Sequence, residues 1–62
     1  MHNNIEELLD SRISKSVSIK FKDMNDFLIG KLECSSKSEE YVLKLRNGIR
    51  IYFYPNSVEK LE

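Results

Sequence analysis

The segment YVLKLRNGIRIYFY, residues 41–54, places two alternating strands on either side of Asn47-Gly48, a pair typical of tight turns. A two-residue loop would set Leu45 opposite Arg50, which mixes apolar and charged side chains because directly opposed residues share a face. A three-residue loop, 46–48, with Gly48 in the left-handed conformation removes that conflict. The opposed pairs are then Leu45 with Ile49, Leu43 with Ile51, and Tyr41 with Phe53. The sequence therefore predicts a β-hairpin whose six paired apolar side chains face one core.

Length and charge limit what this chain can do. Its 62 residues allow one domain, 1–62, and so short a chain buries only about 60% of the surface that its unfolded form exposes. Self-association would add buried surface, so we expect a homo-oligomer. Ten basic and ten acidic side chains cancel to a net charge of zero, which provides no long-range attraction for polyanions or membrane surfaces. The longest apolar run, 27–29, is too short to span a bilayer, and we expect a cytoplasmic protein without membrane contact.

The first part of the chain carries a helix signal. Asn4 followed by Glu7 is typical of an N-cap with a carboxylate in the first turn. Apolar residues then recur at helical spacing. The sequence predicts a short amphipathic helix over 4–13, preceded by a frayed segment at 1–3.

Period-two alternation and turn residues divide the rest of the chain. A glycine inside a strand, Gly30, indicates a sharp bend or the close approach of another backbone. The predicted segments are a first strand over 17–21, a turn over 23–26, a second strand over 27–34, a polar loop over 35–40, the hairpin, a proline-led turn at 55–57 and a last strand over 58–61. We therefore predict a mainly β fold, in which the helix precedes a strongly bent, five-stranded antiparallel small barrel over 16–62.

This layout resembles the Sm-like family of small barrels. The resemblance rests on the amphipathic start IEELL (5–9), the strand pattern V-x-I-x-F-K (17–22), the segment LIGKL (28–32), and a late apolar strand before a turn and Val58. It spans nearly the whole chain and implies the barrel fold and a ring-forming habit. Ser38-Glu39-Glu40-Tyr41 stands where the family has an Asp and an Asn for RNA, and Tyr54-Pro55 stands where it has an Arg-Gly. The resemblance therefore does not extend to the family's RNA-binding residues.

The residue types that commonly carry catalysis are not arranged for it. His2 has no ligand partner at metal-binding spacing, and Cys34 shares the inward phase of Leu32, which predicts a buried structural thiol. A lone cysteine also fits a reducing compartment. The carboxylates fall in turns and loops, where they cap backbone amides or face solvent: Asp23, Asp26, Glu39 and Glu40. We therefore predict no enzymatic activity, no metal and no cofactor.

The side chains that alternate with the predicted core form an outer face. This face is more apolar than an ordinary solvent-exposed surface. Aromatic and aliphatic side chains bordered by lysine and arginine are typical of interaction surfaces. The residues predicted to contact a partner are Phe27, Ile29, Val42, Arg50, Tyr52 and Tyr54. Alternatively, the N-terminal helix covers Phe27 and Ile29. The two tyrosines have no such cover in the predicted layout.

Two functions fit this outer face. In the first, the protein self-associates and acts by contact with a partner protein, as an adaptor or inhibitor, and the neutral net charge favours this interpretation. In the second, it is an Sm-like binder of RNA or single-stranded nucleic acid, in which basic side chains contact phosphates and a tyrosine stacks on a base. The residues of this alternative are Lys44, Arg46, Arg50, Tyr52 and Tyr54.

Overall fold

The computed structural model describes residues 4–62, which form one helix and one five-stranded antiparallel sheet. The elements are α1 (Ile5–Ser11), β1 (Ser16–Phe21), β2 (Leu28–Cys34), β3 (Tyr41–Leu45), β4 (Arg50–Phe53), a 3-10 turn (Pro55–Ser57) and β5 (Val58–Leu61). The predicted mainly β fold with an N-terminal helix is confirmed. The strand order β4-β3-β2-β1-β5 leaves β4 and β5 as the two edges, so within residues 4–62 hydrogen bonds do not close the sheet into a barrel. The predicted frayed segment 1–3, with His2, lies outside the described residues.

Helix α1 begins as the sequence predicts and ends two residues early. The Glu7 backbone N–H donates to Asn4 Oδ1 at 3.3 Å, which confirms the N-cap. The helix ends at Ser11 because the chain then turns toward the sheet: Ser14 has a positive φ of 72°, and its backbone N–H donates to the Leu32 carbonyl at 2.7 Å. The segment after the helix is thereby fixed against β2.

The hairpin has the predicted register. Leu43 pairs with Ile51 and Tyr41 pairs with Phe53, while the Leu45 N–H donates to the Ile49 carbonyl at 2.8 Å. Gly48 has a φ of 90°, as the three-residue loop requires. The predicted burial of Ile49 is wrong, because this side chain is 54% exposed. It lies beside the turn, past the last pair of β3 and β4, where fewer elements surround the chain.

We expect Gly48→Ala to lower the free energy of unfolding by about 1 kcal/mol, since a side chain is strained at positive φ. Apart from the two adjacent residues of the chain, no heavy atom lies within 4 Å of a Cβ added at this position, so this cost is conformational rather than steric. Gly48→Asn is the matched control, because asparagine tolerates the left-handed region better than alanine. Urea unfolding of both variants measures the difference, and equal stability of Gly48→Ala and wild type would contradict the assigned turn.

The core lies on one face of the sheet, beneath α1. Its buried members are Leu9, Val17, Ile19, Phe21, Leu32, Tyr41, Leu43, Phe53 and Val58. The Phe21 and Phe53 rings meet edge to face with centroids 5.1 Å apart. Leu9 is the buried residue of α1, so the helix packs on this inner face. Cys34 is exposed, and the prediction of a buried thiol is wrong because β2 ends at this residue, two positions beyond Leu32, the buried residue of the strand.

Gly30 lies at a close approach of the β3 backbone to β2. It pairs with Val17 on β1 and with Leu45 on β3. A Cβ at this position would lie 2.6 Å from the backbone oxygen of Lys44. The close approach of another backbone, one of the two reasons that the sequence offered for this glycine, is confirmed.

Tyr41 links the sheet to α1. Its hydroxyl donates a hydrogen bond to Asp10 Oδ1 at 2.6 Å, and the residue is buried. Burial raises the pKa of the Tyr41 hydroxyl above its usual range, and the hydrogen bond to the Asp10 carboxylate raises that pKa further. The helix is therefore held over the core by a contact that depends on a protonated tyrosine.

We expect this contact to make stability fall in alkaline solution. Above about pH 10 the unfolded chain loses the Tyr41 proton while the folded protein keeps it, so the free energy of unfolding decreases until the pH passes the raised folded-state pKa. Tyr41→Phe removes this contribution together with about 1 kcal/mol of hydrogen bonding. Urea unfolding at about pH 8 and about pH 11 should therefore show the stability gap between wild type and Tyr41→Phe becoming smaller. A gap that stays constant would contradict this role of Tyr41.

Candidate binding surface

The register of the strands fixes which side chains are neighbours on the outer face, the side of the sheet opposite the core. Lys31 on β2 pairs with Lys44 on β3, and Lys44 pairs with Arg50 on β4. We call these three residues the basic row. The adjacent pairs across the same strands are Glu33 with Val42 and Val42 with Tyr52. Because paired residues share a face, the outer face carries a line of three neighbouring cations.

Most of the apolar residues predicted on this face are exposed, and one is not. The exposed fractions are 38% for Phe27, 66% for Ile29, 57% for Tyr52 and 47% for Tyr54. Val42 is only 3% exposed, so its predicted exposure is wrong. It lies on an interior strand between Glu33 and Tyr52, whose longer side chains flank it on both sides. Val42 therefore has almost no surface to offer a partner.

The exposed apolar residues do not form one patch. Ile29 precedes Lys31 on β2, whereas Tyr52 follows Arg50 on β4, so the basic row runs between the two apolar side chains. Helix α1 packs on the inner face, and the alternative in which it covers Phe27 and Ile29 is wrong. The outer face is thus a basic band with separate apolar residues on its two sides.

A concave region of about 300 Å³ opens at one end of the basic row, and we call it the basic cup. Its lining residues are Ser16, Ile29, Gly30, Lys31, Lys44, Leu45 and Arg46. Three of these are cationic and none is acidic. Within residues 4–62, the one ion pair shorter than 4.0 Å joins Lys20 Nζ to Glu59 Oε1 at 3.8 Å, so none of the cup cations is paired with a carboxylate.

Lys31 and Ser16 were not among the binding residues predicted from the sequence, although alternation places Lys31 on the outer side of the second strand. Their position beside Lys44 depends on the register of β2 against β1 and β3. The polar loop at 35–40 joins β2 to β3 and carries no turn signature that fixes its length. The sequence identified Lys44 and Arg50 as candidate binding residues, but it did not reveal that Lys31 lies in one row with them.

Tyr54 lies in a different environment from Tyr52. It lines a second concavity of about 340 Å³ together with Glu6, Glu39, Pro55 and Asn56. Two carboxylates therefore border Tyr54, while Tyr52 is on the strand that carries Arg50. The structure does not bring the two tyrosines together in one basic surface.

Strand β4 presents backbone groups along the edge of the sheet. The Leu45 N–H donates to the Ile49 carbonyl, and hydrogen-bonded pairs alternate in an antiparallel ladder. Ile51 and Phe53 therefore bond β3, while the N–H and C=O groups of Arg50 and Tyr52 point away from the sheet. The side chains of these two residues are exposed as well. The edge thus combines free hydrogen-bonding groups with an accessible aromatic ring.

Comparison of the chain with protein-family models, curated proteins and solved structures gives no match. In residues 4–62, no group of three or more His, Cys, Asp or Glu side chains is placed to hold a metal ion. No helix of this part of the chain has the length and apolar character needed to cross a membrane. The surface geometry is therefore the basis for a functional proposal.

Proposed function

We propose that this protein is a non-catalytic binding module of Sm-like small-barrel architecture that self-associates through its sheet edges. It acts in the cytoplasm by contact with a partner protein, as an adaptor or inhibitor. The observation that carries the proposal is the β4 edge, where outward backbone groups at Arg50 and Tyr52 lie beside exposed side chains. The order of helix, four consecutive antiparallel strands, a 3-10 turn and a fifth strand returning to β1 supports the small-barrel assignment.

Both edges of the sheet are suited to pairing with another strand. At the second edge, Ser18 and Glu62 exchange two backbone hydrogen bonds of 2.8 Å, which directs the backbone groups of Leu61 outward. Strands β4 and β5 are each four residues long. An exposed edge is a template for strand addition, and pairing of two different edges is a head-to-tail contact that builds rings or filaments. Matching lengths support pairing of β4 with β5 of a second copy.

The accessible tyrosines support protein contact. Tyr52 and Tyr54 are about half exposed, and buried aromatic anchors commonly dominate the energy of protein interfaces. RNA binding is the second candidate, and one observation favours it: the basic row ends at Arg50, on the same face and strand as Tyr52. The carboxylates beside Tyr54 are unfavourable for a phosphate backbone, so only part of the predicted nucleic-acid surface is supported.

Affinity purification from native lysate, with and without nuclease, tests the proposal. We expect a protein partner whose recovery is insensitive to nuclease and is lost with the double variant Tyr52→Ala/Tyr54→Ala, since each anchor is worth about 2 kcal/mol. Met24→Ala is the control, because Met24 is also an exposed large apolar residue and lies in the turn between β1 and β2. Recovery that survives the tyrosine changes but disappears with nuclease, or with the triple change of Lys44, Arg46 and Arg50 to alanine, would favour the RNA alternative.

A further inference from the structure

We propose that the basic cup is a binding site for the phosphate groups of a small, nucleotide-sized ligand. This inference goes beyond the proposed function, because the cup lies across β1, β2 and β3 and does not require the tyrosines or the sheet edges. It rests on three features of the cup: the alignment of its cations, the absence of acidic residues from its lining, and its size.

The alignment of like charges is unfavourable for the protein alone. Lys44 is directly opposed to Lys31 on one side and to Arg50 on the other. Like charges in opposed positions of a sheet repel each other and lower stability. Lys44 is also only partly exposed, so water screens it less than it screens a free surface lysine. A bound anion would relieve this repulsion.

A second pair of directly opposed lysines on the same sheet has a carboxylate close to it. Lys20 on β1 is directly opposed to Lys60 on β5. There Glu59 supplies a carboxylate 3.8 Å from Lys20 Nζ. The acidic residue nearest to the basic row in the register is Glu33, which forms no ion pair with it among residues 4–62. The compensating charge that Lys20 has within the protein is missing at Lys31 and Lys44.

The lining of the cup suits a phosphate ester rather than a bare ion. Lys31, Lys44 and Arg46 supply three cations, and the Ser16 residue, which pairs with Lys31, supplies a hydroxyl. Ammonium and guanidinium groups with a hydroxyl donor are the usual partners of phosphate oxygens. Ile29 is 66% exposed on the rim and offers an apolar surface for the organic part of the ligand.

The dimensions favour a small molecule over a long chain. A volume of about 300 Å³ lies at the lower end of the range for small-molecule pockets, which is enough for the phosphates and part of a nucleotide. The cup is confined to the end of the sheet near the hairpin turn, and the second concavity beyond Tyr54 is bordered by carboxylates. A continuous basic track for several successive phosphates is therefore not formed by the two concavities.

Calorimetric titration and thermal unfolding with four probes test this site: inorganic pyrophosphate, uridine 5′-diphosphate, a short oligouridylate and sulfate. We expect pyrophosphate and the nucleoside diphosphate to bind and to raise the melting temperature, because a ligand of the folded state stabilises it. Lys31→Gln and Lys44→Gln should each weaken this binding by at least about tenfold, which is the effect of one charge-assisted hydrogen bond. Without ligand, Lys44→Gln should be at least as stable as wild type, since it removes repulsion.

Lys60→Gln is the control, because it removes one lysine from the edge strand β5, which does not line the cup. It should bind the probes as wild type does, and so should Tyr54→Ala. If the affinity purification shows no tyrosine-dependent partner, the phosphate site can therefore still be confirmed by these titrations. The proposal would be overturned by sulfate binding as well as pyrophosphate, by binding of the oligouridylate alone, or by undiminished pyrophosphate binding in both Lys31→Gln and Lys44→Gln. If one of these two variants fails to fold, pyrophosphate binding by the other variant decides between the outcomes.

Discussion

Leu43→Ala is expected to lower the free energy of unfolding by about 3 to 4 kcal/mol, the usual cost of opening a cavity at a fully buried leucine. Leu43 is 0% exposed and pairs with Leu32 on β2 and Ile51 on β4, so the lost side chain leaves space at the centre of the sheet. A domain of this length has a total stability of roughly 3 to 9 kcal/mol. The substitution therefore removes a large share of it.

Ile49→Ala is the matched control for Leu43→Ala. Both remove an aliphatic side chain of the same hairpin, but Ile49 is 54% exposed, and we expect a change within about 0.5 kcal/mol. Urea unfolding followed by circular dichroism measures both variants. Equal losses at the two positions would contradict the position of the core along the hairpin.

Gly30→Ala is expected to lower the free energy of unfolding by about 2 to 3 kcal/mol, because an inserted methyl group in a packed region strains its neighbours. The added Cβ would lie 2.6 Å from the Lys44 carbonyl oxygen and 3.1 Å from Leu43 Cδ1. A backbone oxygen held in a sheet cannot move without disturbing the ladder between β2 and β3. The loss should exceed that of Gly48→Ala, where an added methyl group meets no heavy atom within 4 Å beyond the two adjacent residues.

Thermal unfolding of the two glycine variants in parallel measures this difference. If Gly30→Ala proved as stable as wild type, the close approach of β3 to Gly30 would be contradicted. The position of the basic cup would then be in question too, because Gly30 lies in its lining between Ile29 and Lys31.

Local sequence signals predicted the elements well where a turn or cap fixes the backbone. The Asn47-Gly48 pair determined the loop, and the loop determined which residues of β3 and β4 face each other. The Asn4 side chain determined the start of α1. In each case the signal and the structure that it determines lie within a few residues of each other, so no knowledge of distant packing was needed.

Burial and long-range register were harder to predict. Strict alternation assigns Val42 to the exposed side of β3, but an interior strand is flanked by neighbours on both sides, and those neighbours cover a small side chain. Alternation likewise assigns Cys34 to the core, although β2 ends there. The basic row could not be predicted because the loop between β2 and β3 does not reveal which residues of the two strands become opposed.

The distribution of charge over the folded surface could not be predicted for the same reason. A net charge of zero correctly describes the whole chain, but it does not reveal that lysine and arginine side chains gather at the basic cup while Glu6 and Glu39 border a different concavity. Separation of charge within a neutral domain is a property of the folded surface. This separation gives the protein one locally positive and one locally negative concavity, which cannot be read from the amino-acid composition.

The oligomeric state, measured by light scattering at high micromolar concentration, tests most directly whether the sheet edges mediate association. Tyr52→Pro removes a backbone N–H that points away from β3, a position where proline is compatible with an edge strand. Tyr52→Thr removes the same ring and keeps that N–H, so it is the matched control. We predict that wild type and Tyr52→Thr form oligomers while Tyr52→Pro is a folded monomer. A monomeric wild type, or a Tyr52→Pro variant that associates as Tyr52→Thr does, would contradict association through the β4 edge.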